Sequence, residues 1–232
     1  MKFDQHRLVR RSPVLSWGIA GLCLGALLCG GCSASQEQVK KAQGHVGEGV
    51  AVFKTDQQSA YVFFQKALKE DPKNRDAHYY IALIYAMQEK FQQAEAEIRE
   101  VLDIDPDYPE AYNFLGQVFV KQNQRQDAIR AFRKAVGYPL YSTPDVAYYQ
   151  LGLVLELEGD MQGAMQAFED ALKVTPSNVP QALVYLEVGR VHYKMGQDSK
   201  ARDALARAVS LDRDKSGAVS AEAKALLERL KL

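Results

Sequence analysis

The sequence predicts an all-α fold, a superhelical solenoid of about five helix pairs closed by a C-terminal capping helix. Three observations carry this. Apolar residues recur with the 3.6-residue period of a helix, in short stretches separated by glycine, aspartate and proline breaks. The pattern itself repeats, with Ala60, Ala94, Ala128, Ala164 and Ala201 at steps of 34, 34, 36 and 37 residues. Four residues after each alanine stands a large apolar residue: Phe64, Ile98, Phe132, Phe168 and Leu205. A helix pair of this length cannot bury its apolar face alone, so stacked neighbours must complete its core.

The clearest unit runs from Ala147 to Asn178. Tyr148, Leu151 and Leu155 share one helical face, Gly159-Asp160 breaks the helix, and Ala164, Phe168 and Ala171 form the face of a second. Pro176 stops that helix, because proline cannot donate the next helical hydrogen bond. Gly152 is echoed by Gly116 and Gly189, and Pro176 by Pro72 and Pro106. Small residues at fixed offsets let two helices approach closely, and the large residue four positions after each alanine fills the space between units. Over residues 41–214, in five units, these residues resemble the tetratricopeptide repeat.

The chain begins differently. Residues 1–12 carry Lys2, Arg7, Arg10 and Arg11 against Asp4, and Val14 to Cys29 follow without a charge. A basic start, an apolar run and small residues after it describe a secretory signal. A spanning helix needs about 20 apolar residues, and this run is shorter and rich in glycine. All three cysteines, Cys23, Cys29 and Cys32, lie here. Cys29 and Cys32 form a C-x-x-C pair, but one half sits in the apolar segment and no second ligand pair or βαβ pattern accompanies it. The stretch Leu28-Cys29-Gly30-Gly31-Cys32 instead resembles a bacterial lipobox. That resemblance implies cleavage between Gly31 and Cys32 and a covalent lipid on Cys32. Residues 1–31 are expected as the lipoprotein signal peptide, 32–40 as the acylated cysteine with a short polar tether, and 41–232 as the repeat domain. About ten extended residues reach roughly 30 Å, which keeps the array near its membrane. Ser33 after the cysteine, by resemblance to proteobacterial lipoproteins, implies sorting to the outer membrane.

The first repeat is irregular, with Gly44, Gly47 and Gly49 in its first helix. Each costs a helix about 1 kcal/mol relative to alanine. Two readings stand: a backbone that a partner approaches closely, or the atypical terminal repeat of a solenoid. Repeats two and three are regular, packed through Ile81, Tyr85, Phe91, Ala94 and Ile98, then through Tyr112, Leu115, Gly116, Phe119, Ala128 and Phe132. The register slips at residues 135–144 and again at Val179-Pro180-Gln181. Residues 217–232 form a last amphipathic helix, with Val219, Ala223, Leu226, Leu227 and Leu230 covering the end of the stack.

The sequence carries no catalytic constellation. His45, His78 and His192 are far apart in the chain, and His78 and His192 occupy packing positions. No G-x-S-x-G, H-E-x-x-H, Walker loop or paired-cysteine zinc motif is present, so the reading is a binding protein, not an enzyme, with no cofactor or metal. The 29 basic and 29 acidic residues balance, which argues against a nucleic-acid partner.

Binding is expected on the concave face, which the first helix of each pair lines. The period places Tyr79, Leu83 and Met87 there, then Asn113, Gln117, Val120 and Lys121. They continue with Tyr149, Leu153, Glu156 and Leu157, then Leu186, Arg190, Tyr193 and Lys194, while the first repeat contributes Val52 and Phe53. An apolar groove of this kind suits an amphipathic helix. The lysine-and-asparagine clamp of cochaperone repeats, which grips a C-terminal carboxylate, is missing: Tyr79 stands in place of the lysine and Leu83 in place of the asparagine.

Cys32, its tether and the text AVGYPLYSTPDVAYYQLGLVLELEGD together are similar to the type IV pilus pilotin family, outer-membrane tetratricopeptide lipoproteins of the PilF, PilW and Tgl type. Pro139-Leu140-Tyr141 ahead of Tyr148 to Gly152 matches the family's loop and helix. The resemblance implies a periplasm-facing outer-membrane lipoprotein with no small-molecule substrate. Its partners would be the secretin subunits of the pilus channel, whose assembly it would promote for pilus biogenesis and motility. The alternative is a generic outer-membrane lipoprotein scaffold that recruits periplasmic peptidoglycan hydrolases or proteases.

Overall fold

The computed structural model describes residues 34–212 and 217–230. The expected signal peptide, with the cleavage point expected between Gly31 and Cys32, and the expected lipidation site Cys32 lie outside the described residues.

Among the described residues the chain forms five helix pairs and one further helix. The pairs are α1 (Gln36–Val52) with α2 (Gln57–Glu70), α3 (Arg75–Met87) with α4 (Phe91–Ile104), and α5 (Pro109–Lys121) with α6 (Arg125–Val136). Then come α7 (Pro144–Leu157) with α8 (Met161–Lys173), α9 (Gln181–Lys194) with α10 (Asp198–Leu211), and last α11 (Ala218–Arg229).

Helix starts follow local chemistry. Asp56, Asn74 and Asp160 each cap a helix by accepting the backbone N–H three residues on. Pro109 and Pro144 open α5 and α7, where a missing N–H costs nothing. Ser35 and Gln38 form a reciprocal capping box at the start of α1. The helical array therefore begins at Gln36, inside the stretch expected to be tether up to residue 40. The Ser-x-x-Gln spacing was the signal for it.

The turns inside pairs two to five share one left-handed residue, occupied by Glu89, Asn123, Gly159 and Gly196, with φ of 59°, 59°, 84° and 68°. In the first pair the link runs over residues 53–56, one residue longer than in the others, yet its packing glycine stands one residue closer to its anchor, 15 residues before Phe64 where Gly116 and Gly152 stand 16 before Phe132 and Phe168. That difference accounts for the irregular first repeat, because Gly49 lands on the ring of Phe64 as Gly116 does on Phe132 and Gly152 on Phe168. Gly49 is thus the repeat's packing glycine. Gly44 and Gly47 face open space.

Each first helix packs on its own partner, and α2, α4, α6 and α8 pack on the first helix of the next pair. In addition α5 touches α7 and α7 touches α9, whereas no two second helices of successive pairs meet to the same extent. The stack therefore curves with its first helices inside. The anchor residues Phe64, Ile98, Phe132, Phe168 and Leu205 are fully buried, as are the alanines four residues before them.

The two register slips are stitched to the preceding turn of the stack. At the first, the Tyr138 hydroxyl donates to the Pro106 carbonyl at 2.9 Å, its ring stacks on Tyr112, and Tyr141 is buried. At the second, fully buried Asp145 accepts backbone N–H groups of Asn178 and Val179 and the Asn178 side chain. The last helix, α11, packs on α9 and α10 and closes the end as expected.

Candidate partner-binding groove

The inner face is built from α3, α5, α7 and α9 with the end of α1. Met87 and Leu157 are its most exposed large apolar side chains, at 56% and 63%. Each closes its helix, one turn beyond the half-buried Leu83 and Leu153. Leu83, Val120 and Leu153 show one side to the groove and pack the other against the main core.

The remaining predicted residues sit deeper. Tyr79 lies among the rings of Tyr80, Tyr108 and Phe114, at centroid distances of 6.1, 5.6 and 5.9 Å. Burial pushes its hydroxyl well above the ordinary tyrosine range. Tyr149 leans on Phe168 at 5.9 Å, and burial pushes it up to about 12. Phe53 follows the end of α1 and contacts Phe64 and Tyr80 at 6.4 and 5.5 Å, with Val52 half-buried beside it. Phe53 and Tyr79 thus fill the seams to the next first helix, and Tyr149 packs on the second helix of its own pair, so none of the three is a free lining.

Leu186 is a correction. It is only 2% exposed and packs with Ala201, Leu205, Ala208, Ala223 and Leu230. No sixth pair follows the fifth, and α11 covers the position that the period alone assigns to the groove. The histidine at position 78 is a satisfied packing residue, as expected. Its Nδ1 lies 2.7 Å from Glu97 and its Nε2 3.1 Å from the Pro72 carbonyl. Both partners are acceptors, so the doubly protonated ring is the form that satisfies both. Burial pulls its pKa down, but these two acceptors outweigh that and raise it.

One functional candidate was missed. Glu187, on α9, is 5% exposed, and Glu156, on α7, is 8% exposed. Glu156 pairs with Lys194 at 2.9 Å. Arg190 reaches Glu187 at 3.5 Å and Glu222 of α11 at 3.3 Å. Burial, which Arg190 only partly offsets, pushes the Glu187 carboxyl up to about 6. Glu187 stands two residues before the packing glycine, where repeats two and three carry Tyr80 and Phe114. A carboxylate in that column was the available signal. Among the described residues no helix is long and apolar enough to cross a membrane.

Models of the tetratricopeptide repeat match residues 55–118, 85–138, 115–182 and 182–215. The chain is a tetratricopeptide-repeat protein. Its curated relatives include the type IV pilus assembly protein PilF of Pseudomonas aeruginosa, 29% identical over 146 residues, which are 62% of this chain and 56% of that protein. They also include the general transcriptional corepressor ssn6 of Schizosaccharomyces pombe, 29% identical over 123 residues, 53% of this chain and 11% of that protein. The chain thus spans about half of the former's length and a ninth of the latter's. Among solved structures, that of Pseudomonas aeruginosa PilF superposes with a TM-score of 0.67 at 22% identity, over 84% of this chain and 94% of that one. The structure of PilW, a widely conserved type IV pilus biogenesis factor, gives 0.64 at 23% identity over the same shares. The structure of the MamA protein gives 0.65 at 23%, over 76% and 94%. These likenesses show the fold of this tetratricopeptide-repeat protein, and the pilus factors among them share nearly their whole length with it.

Proposed function

We propose that this tetratricopeptide-repeat protein is a non-catalytic, pilotin-like lipoprotein, held at the outer membrane by a lipid on Cys32. On this reading it binds secretin subunits of a type IV pilus channel and promotes their assembly. The observation that carries the reading is the inner face itself. Exposed Met87 and Leu157, continued by half-buried Leu83, Val120 and Leu153, make an apolar strip on a scaffold that superposes on 94% of each of two pilus biogenesis factors. An amphipathic helix fits such a strip.

Photo-crosslinking residues placed at Met87 and Leu157 in intact cells test this. The expected product is a crosslink to the secretin, and Met87→Glu with Leu157→Glu should abolish secretin multimers without lowering the melting temperature. A desolvated, unpaired carboxylate costs several kcal/mol, enough to weaken binding well over tenfold. Intact multimers and surface pili in that variant would overturn the reading. Crosslinks to a peptidoglycan hydrolase or protease would establish the scaffold alternative. Cys32→Ala should release the chain from the outer-membrane fraction, since stable anchoring needs more than one acyl chain or signal. Unchanged attachment would refute the lipid anchor.

A further inference from the structure

The seam between α7 and α9 carries chemistry that packing does not require. Three carboxylates, Glu156, Glu187 and Glu222, meet two cations, Lys194 and Arg190. The Glu187 Oε2 is buried and has no hydrogen-bond partner. Arg190 is stretched between Glu187 and Glu222 at 3.5 and 3.3 Å, longer than the roughly 2.7–2.9 Å of a good charge-assisted bond. Lys194 and Arg190 are both partly exposed, so the cluster opens toward the groove. Tyr149 of α7 lies close enough to feel the charges of Glu187, Arg190 and Glu156. Leu153 and Leu157, one and two turns along α7 from Tyr149, supply apolar wall beside the charges.

We propose that this seam is the acceptor for a basic side chain of the partner segment. The inference rests on the reading of the inner face as the partner groove, and it adds the partner's chemistry: an arginine or lysine flanked by apolar residues. The incoming cation takes the free Glu187 oxygen while Arg190 closes onto Glu222. Three carboxylates then balance three cations, and the orphaned acceptor gains a donor. The flanking apolar residues lie along Leu153 and Leu157. A buried carboxylate left short of a donor costs free energy that binding of such a group recovers.

A random dodecapeptide library displayed on phage, selected on the mature chain, tests this. Groove binders are those that lose binding to the Met87→Glu, Leu157→Glu variant. They should be enriched in arginine or lysine at one position between apolar residues. Replacing that arginine by neutral citrulline in a synthetic peptide should weaken binding to the wild type about tenfold. The loss should fall below about twofold with Glu156→Gln, Glu187→Gln, or with Glu187→Gln alone, each checked by its melting curve. Groove binders that show no basic preference, or bind equally well as citrulline peptides, would overturn this inference and leave the groove standing. Selected peptides that bind the Met87→Glu, Leu157→Glu variant as well as the wild type would overturn the groove reading, and this inference with it.

Discussion

Gly152→Ala exposes the packing rule of the stack. A Cβ at Gly152 would stand 2.5, 2.7 and 2.8 Å from Cε1, Cδ1 and Cζ of Phe168, against an ordinary carbon contact of about 3.5–4.0 Å. Phe168 is fully buried and flanked by the Tyr149 ring, so it has nowhere to swing. Overpacking of this kind costs about 1–3 kcal/mol. Alanine returns about 1 kcal/mol of helix propensity, which leaves a net loss of about 0–2 kcal/mol. Gly44→Ala is the internal control, because nothing lies within 4 Å of its added Cβ, and it should stabilise by about 1 kcal/mol. Thermal melts followed by circular dichroism separate them, at about 2–4 °C per kcal/mol for a chain of this size. The second repeat supplies a rescue. There Ala82 replaces the glycine and Ile98 the phenylalanine, and both are fully buried. Gly152→Ala should therefore cost much less in a Phe168→Ile background. If Gly152→Ala stabilises as much as Gly44→Ala, the close approach does not limit the stack and the reasoning fails.

Asp145→Ala should cost about 2–4 kcal/mol, because it strands the buried N–H of Val179 and the part-buried N–H of Asn178 that the carboxylate accepts. Burial pushes the Asp145 carboxyl up, but these donors outweigh it and hold its pKa below the usual value. Its contribution is present above that value, near 3.9, and is lost as pH falls through the lowered folded pKa. In melts below about pH 4 the wild type should thus lose more stability than Asp145→Asn. His78 behaves oppositely: its pKa is raised, so its contribution is full below about 6.5 and fades as pH climbs through the raised value. His78→Gln should flatten the melting temperature over that window, and an unchanged slope would show that Glu97 and Pro72 do not hold a charged ring.

The sequence by itself determined the helix pairs, their anchors and most of their ends. Periodicity, alanine–aromatic spacing, prolines and cap residues act within one or two turns, and each element obeys them locally. The alanines and anchors from Ala60 to Leu205 are buried as that spacing requires. The exposure of Met87 and Leu157 was also legible, because the period that buries one face frees the other. Tertiary structure alone decided which of the remaining lining positions stay open. Tyr79 is consumed by the seam to the next first helix, and Leu186 by a helix more than thirty residues downstream. It alone aligned Gly49 with Phe64 at a spacing one residue shorter than in the other repeats. Tertiary structure also brought Glu156, Glu187, Arg190, Lys194 and Glu222 from three helices into one cluster. A repeat register places residues around their own helix axis, whereas burial and charge balance depend on what the next helix brings against them.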